Sequence, residues 1–426
     1  MTPMTTVSRR HALGLGAALV GVLTISACGR QGGGSSSDAN SLTIWLGDLN
    51  SFQKADVERF IAAFEAAHEG YTCAFQTHST DDLKEAMRQV SGTTAGPDIY
   101  WYWEGPGLGG EMVQAKMSED LTRFYEQYGW EDRFTSASLA GITQYGGYHG
   151  IPWTLQAEAL YYNKDLFEQA GITSEPTTYA ELTAACDALV AAGITPIQFG
   201  GTVNWHVMRL LDTLIEMYCG ADVATTLVTD KKGWDTEAGV TQAFTELKRW
   251  ADTYFNKGYM SISNDDSNLL FYNGTAAMAL EGTWFNANAV DNGMDPTRIG
   301  IFPFPTGTGR LYGFGEGFYI NPSSTKIDTA AMFLDFITST EQMSEGAGTW
   351  AAISVNKDVP VGEENPLDAL WVPILESSDE MYNNFDQALS LNETTEYWRI
   401  QNAVLIGQMT PEEAGPAMQR FIDANA

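Results

Sequence analysis

Hydrophobic positions near the start of the folded region alternate between two periods. Leu42-Thr43-Ile44-Trp45-Leu46 is a short β-type run that ends at Gly47-Asp48. Val57, Phe60, Ile61 and Phe64 then recur at the i, i+3, i+4, i+7 spacing of an amphipathic helix. Tyr71 to Thr77 reads as a second strand, Asp81 to Val90 as a second helix, and Asp98 to Trp103 as a third strand. Strand–helix–strand alternation predicts a largely parallel α/β sheet. In such sheets ligands bind beyond the carboxyl ends of the strands. Asp48 and Glu104 both fall at such ends.

The middle of the chain is helical by pattern. Thr178 to Ala192 is alanine-rich and stops at Gly193, and Val207–Tyr218 and Val240–Tyr254 carry the same period. Phe271 to Leu280 reads as a turn into a buried strand. Thr410-Pro411-Glu412-Glu413 sets an N-cap, a proline at N1 and a glutamate at N3 for a last helix, whose apolar face holds Met418, Phe421 and Ile422. No internal repeat is visible.

Composition adds a leader and a tether. Ser8-Arg9-Arg10 precedes an apolar run from Ala12 to Ile25, shorter than the ~20 residues that span a bilayer, so it reads as a signal peptide. Residues 29–40 are almost all Gly, Ser and polar, a flexible tether by composition. The remaining residues, 41–426, exceed what one core usually supports, which predicts two lobes. The formal net charge is −31, and loss of Arg9 and Arg10 with the leader makes it more negative. That excess opposes nucleic acid and anionic ligands by repulsion. Cys73, Cys186 and Cys219 are odd in number and match no metal spacing; they read as buried thiols, with one disulfide left open.

Several stretches resemble known sequences. Ile25-Ser26-Ala27-Cys28 resembles the lipobox of bacterial lipoproteins, which implies a lipid on Cys28 and anchorage to the outer face of the cell membrane. The twin-arginine resemblance of Ser8 to Leu13 is loose, and the export route stays open. Gly150 to Asp165, Pro176-Thr-Thr-Tyr179, Phe271 to Met278, Glu281-Gly-Thr-Trp284 and Gly317 to Pro322 occur in the order found in bacterial carbohydrate-binding extracellular solute-binding proteins, the maltose-binding-protein type. The resemblance covers nearly all of residues 41–426. It implies an α/β fold of two lobes joined by crossing strands, with a ligand cleft between them. Carried over, residues 41–155 plus 303–345 form one lobe and 156–302 plus 346–426 the other. It also implies a monomeric non-enzyme that captures a short oligosaccharide by lobe closure and delivers it to the permease subunits of an ATP-binding-cassette importer. No cofactor, metal or nucleic acid is expected.

A sugar offers apolar C–H faces and a rim of hydroxyls, so a sugar site needs aromatic planes and hydrogen-bonding edges. With 12 Trp and 18 Tyr most aromatics must be structural, and Trp130, Trp234, Trp250 and Trp371 fit helical packing. The candidates at the family's loop positions are Asp48, Trp103, Glu104 and Glu316 from the first lobe. Trp153, Gln156, Trp205 and Trp284 come from the crossover and second lobe, with Trp350 and Trp398 beyond them. Relatives often carry aspartate at the position of Glu316 and glycines at Glu104-Gly105-Pro106, so sugar preference does not transfer.

In Pro97 to Gly107, period two puts Ile99 and Trp101 on one strand face and Tyr100 and Tyr102 on the other, both covered; only Trp103-Glu104 is expected at the ligand. Gly105-x-Gly107-x-x-Gly110 has the form of a dinucleotide fingerprint, but Pro106 interrupts it. Asn264-x-Asp266-x-Asn268 lacks the glycine of a calcium loop and reads as a solvated helix-capping loop. The histidines fall in no metal or triad spacing. Two rivals stay open: an anchored glycosidase with Glu104 facing Glu316 across the cleft, and a receptor for a non-sugar cation such as a polyamine.

Overall fold

The computed structural model describes residues 40–351, 354–360, 365–378 and 380–425. The leader, Cys28 and all of the tether but Asn40 lie outside the described residues. Among the described residues nine strands form one hydrogen-bonded sheet: β1 (Ser41–Leu46), β2 (Thr72–Thr77), β3 (Ile99–Trp103), β4 (Ile151–Asn163), β5 (Thr195–Gln198), β6 (Ala276–Gly282), β7 (Ile299–Phe302), β8 (Arg310–Ile320) and β9 (Glu380–Asn383). Their order is β2-β1-β3-β8-β4-β6-β5, with β7 added to β4 and β9 to β8.

The sheet is mixed rather than largely parallel. β1 pairs parallel with β2 and β3, and β5 with β6, as the local alternation predicts. The pairings of β3 with β8, and of β4 with β6, β7 and β8, are antiparallel. Local periodicity sees only neighbouring connections, whereas β8 returns from far along the chain to lie against β3 and β4.

Helix boundaries follow local capping chemistry. Asn50 and Gln53 form a capping box at Ser51–Ala67, and Thr178 with Glu181 form another at Tyr179–Ala191. Glu413 Oε2 accepts from Thr410 N at 2.9 Å at the start of Pro411–Asn425. The Asn264–Asn268 run is not a solvated loop. It opens the helix Asn264–Tyr272, with Ser263 as its N-cap.

Two large cores lie along this sheet. Leu42, Ile44, Phe60 and Phe64 pack with Trp130, Ile320 and the helix Ile327–Ile337 in the first. Leu160, Leu211, Phe244, Trp250, Phe385, Tyr397 and Met418 belong to the second. β4 threads both, giving Ile151 and Trp153 to the first core and Leu160 and Tyr162 to the second. Trp350 and Val355 pack with the first core. Trp130, Trp234, Trp250 and Trp371 are fully buried packing residues. Cys73, Cys186 and Cys219 are free thiols, Cys186 fully buried.

The fingerprint-like glycines have a packing role. Gly105 has φ +101°, and a Cβ there would overlap Gln387. A Cβ on Gly107 would overlap the Leu389 carbonyl oxygen, while Gly107 N donates to Gln387 O at 2.9 Å. These glycines therefore seat the segment Asn384–Leu389 against the end of β3. Its other side is fixed by the buried Asp212 carboxylate, which accepts from Phe385 N (2.9 Å), Tyr312 OH (2.6 Å) and Tyr397 OH (2.9 Å). Gly107→Ala is expected to lower stability by about 2–3 kcal/mol through overpacking against rigid backbone. Gly147→Ala, which meets only the edge of His149, should change it little. Urea denaturation midpoints of the two variants check this; equal midpoints would refute the close approach.

Candidate functional site

A cavity of about 500 Å³ opens along the middle of the sheet. One wall is the loop after β1 with Asp48 and Asn50, together with Lys84 on the helix Thr80–Val90 and Trp101 and Trp103 on β3. The facing wall is Trp205 and Arg209 on the helix Asn204–Cys219, the helix Asn264–Tyr272, and Trp284 with the helix Phe285–Asp291. Gln156 of β4, Phe314 and Glu316 of β8, Trp350, and Asn384, Asp386 and Gln387 complete it.

The facing wall is organised around one cation. Arg209 sits four residues after Trp205, hence on the same helix face. Its guanidinium carbon lies 4.8 Å from the Trp205 ring centroid and 4.9 Å from that of Trp284. Behind it, Glu281 accepts from Nη1 at 2.6 Å and Glu158 lies 3.1 Å from Nε. Asn264 Nδ2 donates to Glu281 at 3.0 Å. Burial pushes the Glu281 carboxyl up, but Arg209 and hydrogen bonds from His206 and Asn264 outweigh it and hold the group at about 2. The Glu281-Gly-Thr-Trp284 motif therefore divides its work. Glu281 anchors Arg209, Gly282 leaves the space that the Trp284 indole fills, and Thr283 Oγ1 donates to Gln156 Oε1.

On the opposite wall Trp101 and Trp103 meet edge to face, ring centroids 4.6 Å apart. Lys84 Nζ lies 4.7 Å over the Trp103 ring. At the cavity floor Glu316 accepts from Thr154 Oγ1 and from Gln156 Nε2, the latter at 3.2 Å. Burial pushes its carboxyl up to about 7. Asp48 at the mouth is raised by burial and by the negative charge of Asp265 on the facing wall.

Of the residues expected from sequence, Asp48, Trp103, Gln156, Trp205, Trp284, Glu316 and Trp350 line this cavity. Glu104, Trp153 and Trp398 do not. The Glu104 carboxyl enters a slot where Gly141 and Gly315 lack side chains; burial and the Glu316 charge raise it well above the carboxylate range. Trp153 is buried edge-on against Phe60, Phe318 and Trp350, beside a second cavity of about 30 Å³. Trp398 packs on the second core with its Nε1 directed at Met208 Sδ. Trp101, assigned above to a covered face, is in the cavity wall because β3 points it the same way as Trp103. Sequence reasoning missed Lys84, Arg209 and Asn384–Gln387. For Arg209 the i, i+4 relation to Trp205 was an available signal.

Paired indole faces with carboxylates, amides and cations at their edges suit a molecule with apolar faces and a polar rim. Among known proteins, the family model described as "Bacterial extracellular solute-binding protein" matches residues 48–344. A Pyrococcus horikoshii protein named an uncharacterized ABC transporter extracellular-binding protein is 25% identical over 237 residues, 54% of this chain and 52% of its own. The "Multiple sugar-binding protein" of Streptococcus mutans is 24% identical over 232 residues, 52% of this chain and 54% of its own. The solved structure of a "Chitin oligosaccharide binding protein" superposes with a TM-score of 0.81 at 25% identity, covering 90% of this chain and 98% of that one.

The Glu104–Glu316 pair sets a pH dependence. The Glu316 carboxyl holds its proton more tightly in the folded chain than in the unfolded one, so stability falls as pH rises from the ordinary value of 4.5 to about 7, and the raised Glu104 carboxyl acts in the same direction. Glu316→Gln keeps an acceptor for Thr154 and removes the titration. Relative to the parent it should gain on the order of 1–3 kcal/mol between pH 5 and pH 8. Parallel pH–stability curves for the two proteins would contradict the assignment.

Proposed function

The chain belongs to the bacterial extracellular solute-binding protein family, and from that premise we propose that it is the sugar receptor of an ATP-binding-cassette importer, taking a short oligosaccharide. The observation that carries this is the cavity with Trp101 and Trp103 in one wall, Trp205 and Trp284 in the other, and hydrogen-bonding side chains around them. Each indole offers a face for a sugar's C–H surface, and four of them are more than one ring needs. The pairing of sugar rings with such walls also agrees with the names of the relatives.

The mechanism is lobe closure. We assign residues 41–155 plus 303–345 to one lobe and 156–302 plus 346–426 to the other, with β4 and β8 as the crossing strands and with Trp350 and Val355 reaching back to pack on the first core. A ligand favours the closed form only through contacts that need both walls at once. Trp101 and Trp103 on one side and Trp205, Arg209 and Trp284 on the other supply them. The closed form is then what the permease subunits recognise. The lipobox at Cys28 and the tether after it place the receptor on the outer membrane face, within reach of that permease. Glu104 held in its glycine slot, away from the cavity, supports binding over hydrolysis.

Calorimetry against cellotriose, xylotriose, maltotriose and chitotriose tests this reading. At least one should bind and raise the thermal midpoint, with the sugar recovered intact. Trp205→Ala and Trp284→Ala should each weaken that sugar about tenfold or more, from lost stacking and a displaced Arg209. Hydrolysis products, or no binding by any of the four, would refute it.

A further inference from the structure

Lys84 and Asp386 are an incompletely paired set of opposite charges in the cavity wall. Each side chain belongs to a residue more than nine-tenths buried, with 8% and 7% exposure, and both line the cavity. Their ion pair is stretched: Nζ lies 3.9 Å from Oδ2. Among the described residues Lys84 Nζ donates no hydrogen bond, and Asp386 Oδ1 is buried without a partner. Buried opposite charges gain most in direct contact with every hydrogen-bonding position used, and here the pair is stretched and one carboxylate oxygen is left open.

The gap is held open from both sides. Lys84 is fixed over the Trp103 ring at 4.7 Å, on a helix whose Leu83 and Met87 pack with Tyr100 and Tyr102. Asp386 is fixed by its neighbours: Phe385 N donates to Asp212, and Gln387 O accepts from Gly107 N. An oxygen placed about 2.8 Å from each atom, with an angle near 90° at that oxygen, spans a separation of about 3.9 Å. A sugar hydroxyl fits this position chemically, because it accepts from an ammonium and donates to a carboxylate at the same time.

We infer that Lys84 and Asp386 form a split ion pair bridged by one ring hydroxyl of a neutral sugar, which makes them specificity-determining residues of the cleft. The inference rests on the sugar-receptor reading above. It also gives Trp103 a different task, holding the Lys84 ammonium in place. Because Lys84 belongs with the β3 side and Asp386 with the segment anchored in the second core, the bridging hydroxyl joins both sides. A ligand carboxylate cannot donate to Asp386, so uronic-acid units are rejected at this position.

Calorimetry with cellotriose, xylotriose, maltotriose and chitotriose on the full-length protein, Lys84→Met, Asp386→Asn and the double variant tests it. Each single variant should weaken the sugar that the parent binds about ten- to a hundredfold. The double variant should lose little beyond the weaker single, since one hydroxyl serves both groups. Thermal midpoints without sugar identify any variant that misfolds. Should Lys84→Met do so, Lys84→Arg replaces it: its larger head fills the gap and should weaken the sugar with stability kept. Parent-like affinity in the single variants, or losses that multiply in the double, would overturn the split pair alone. If the parent binds none of the four sugars, the receptor reading falls and this inference with it.

Discussion

One antiparallel ladder, between β4 and β8, has to serve two cores at once. At its ends the two strands contribute apolar side chains, such as Trp153 and Phe318 on one side and Leu160 and Leu311 on the other. Between those cores the cavity opens onto the ladder at Gln156, Phe314 and Glu316. Thr154, Gln156 and Glu316 stand at that place, paired across the ladder by Thr154↔Glu316 and by hydrogen bonds among their side chains. The polar floor of the cleft and the connection between the cores are thus the same few residues.

Burying this much polarity is unfavourable unless each group is answered. The facing wall answers its charges in pairs: Arg209 has Glu281 and Glu158, and Glu281 has Asn264 and His206 behind it. Glu316 is answered by neutral donors only, which offset part of the rise that burial causes in its carboxyl, and its charge in turn raises Glu104. The cleft therefore combines a rigid cationic support for two indoles with a floor whose charge changes near neutrality.

Much of the fold was legible because its signals are local. Capping boxes at Asn50 and Thr178 and the Thr410-Pro411 start mark helix ends by chemistry within four residues. The antiparallel pairings through β8 were not legible, since they join residues some two hundred positions apart. The site divides the same way. Trp205, Trp284 and Glu316 were reached through family order, and the structure places them on one cavity. Glu104 left that group because Gly141 and Gly315, distant in sequence, open a slot behind it. Trp101 joined because covering both strand faces is a rule for sheet interiors, and β3 meets the cleft at its end. The segment Asn384–Gln387 carries no motif at all; its placement depends on the glycines at 105 and 107.

Those glycines also impose an order on the protein's maturation. The cleft takes one wall from Asn384, Asp386 and Gln387, and the segment that carries them docks on a loop nearly three hundred residues earlier in the chain. Closing so large a loop is among the slower steps in folding. Until that contact forms, Lys84 lacks its counter-charge and the cleft lacks one of its walls. The same segment carries Phe385 and Leu389 into the second core, so that core and the wall of the cleft are completed by one docking event.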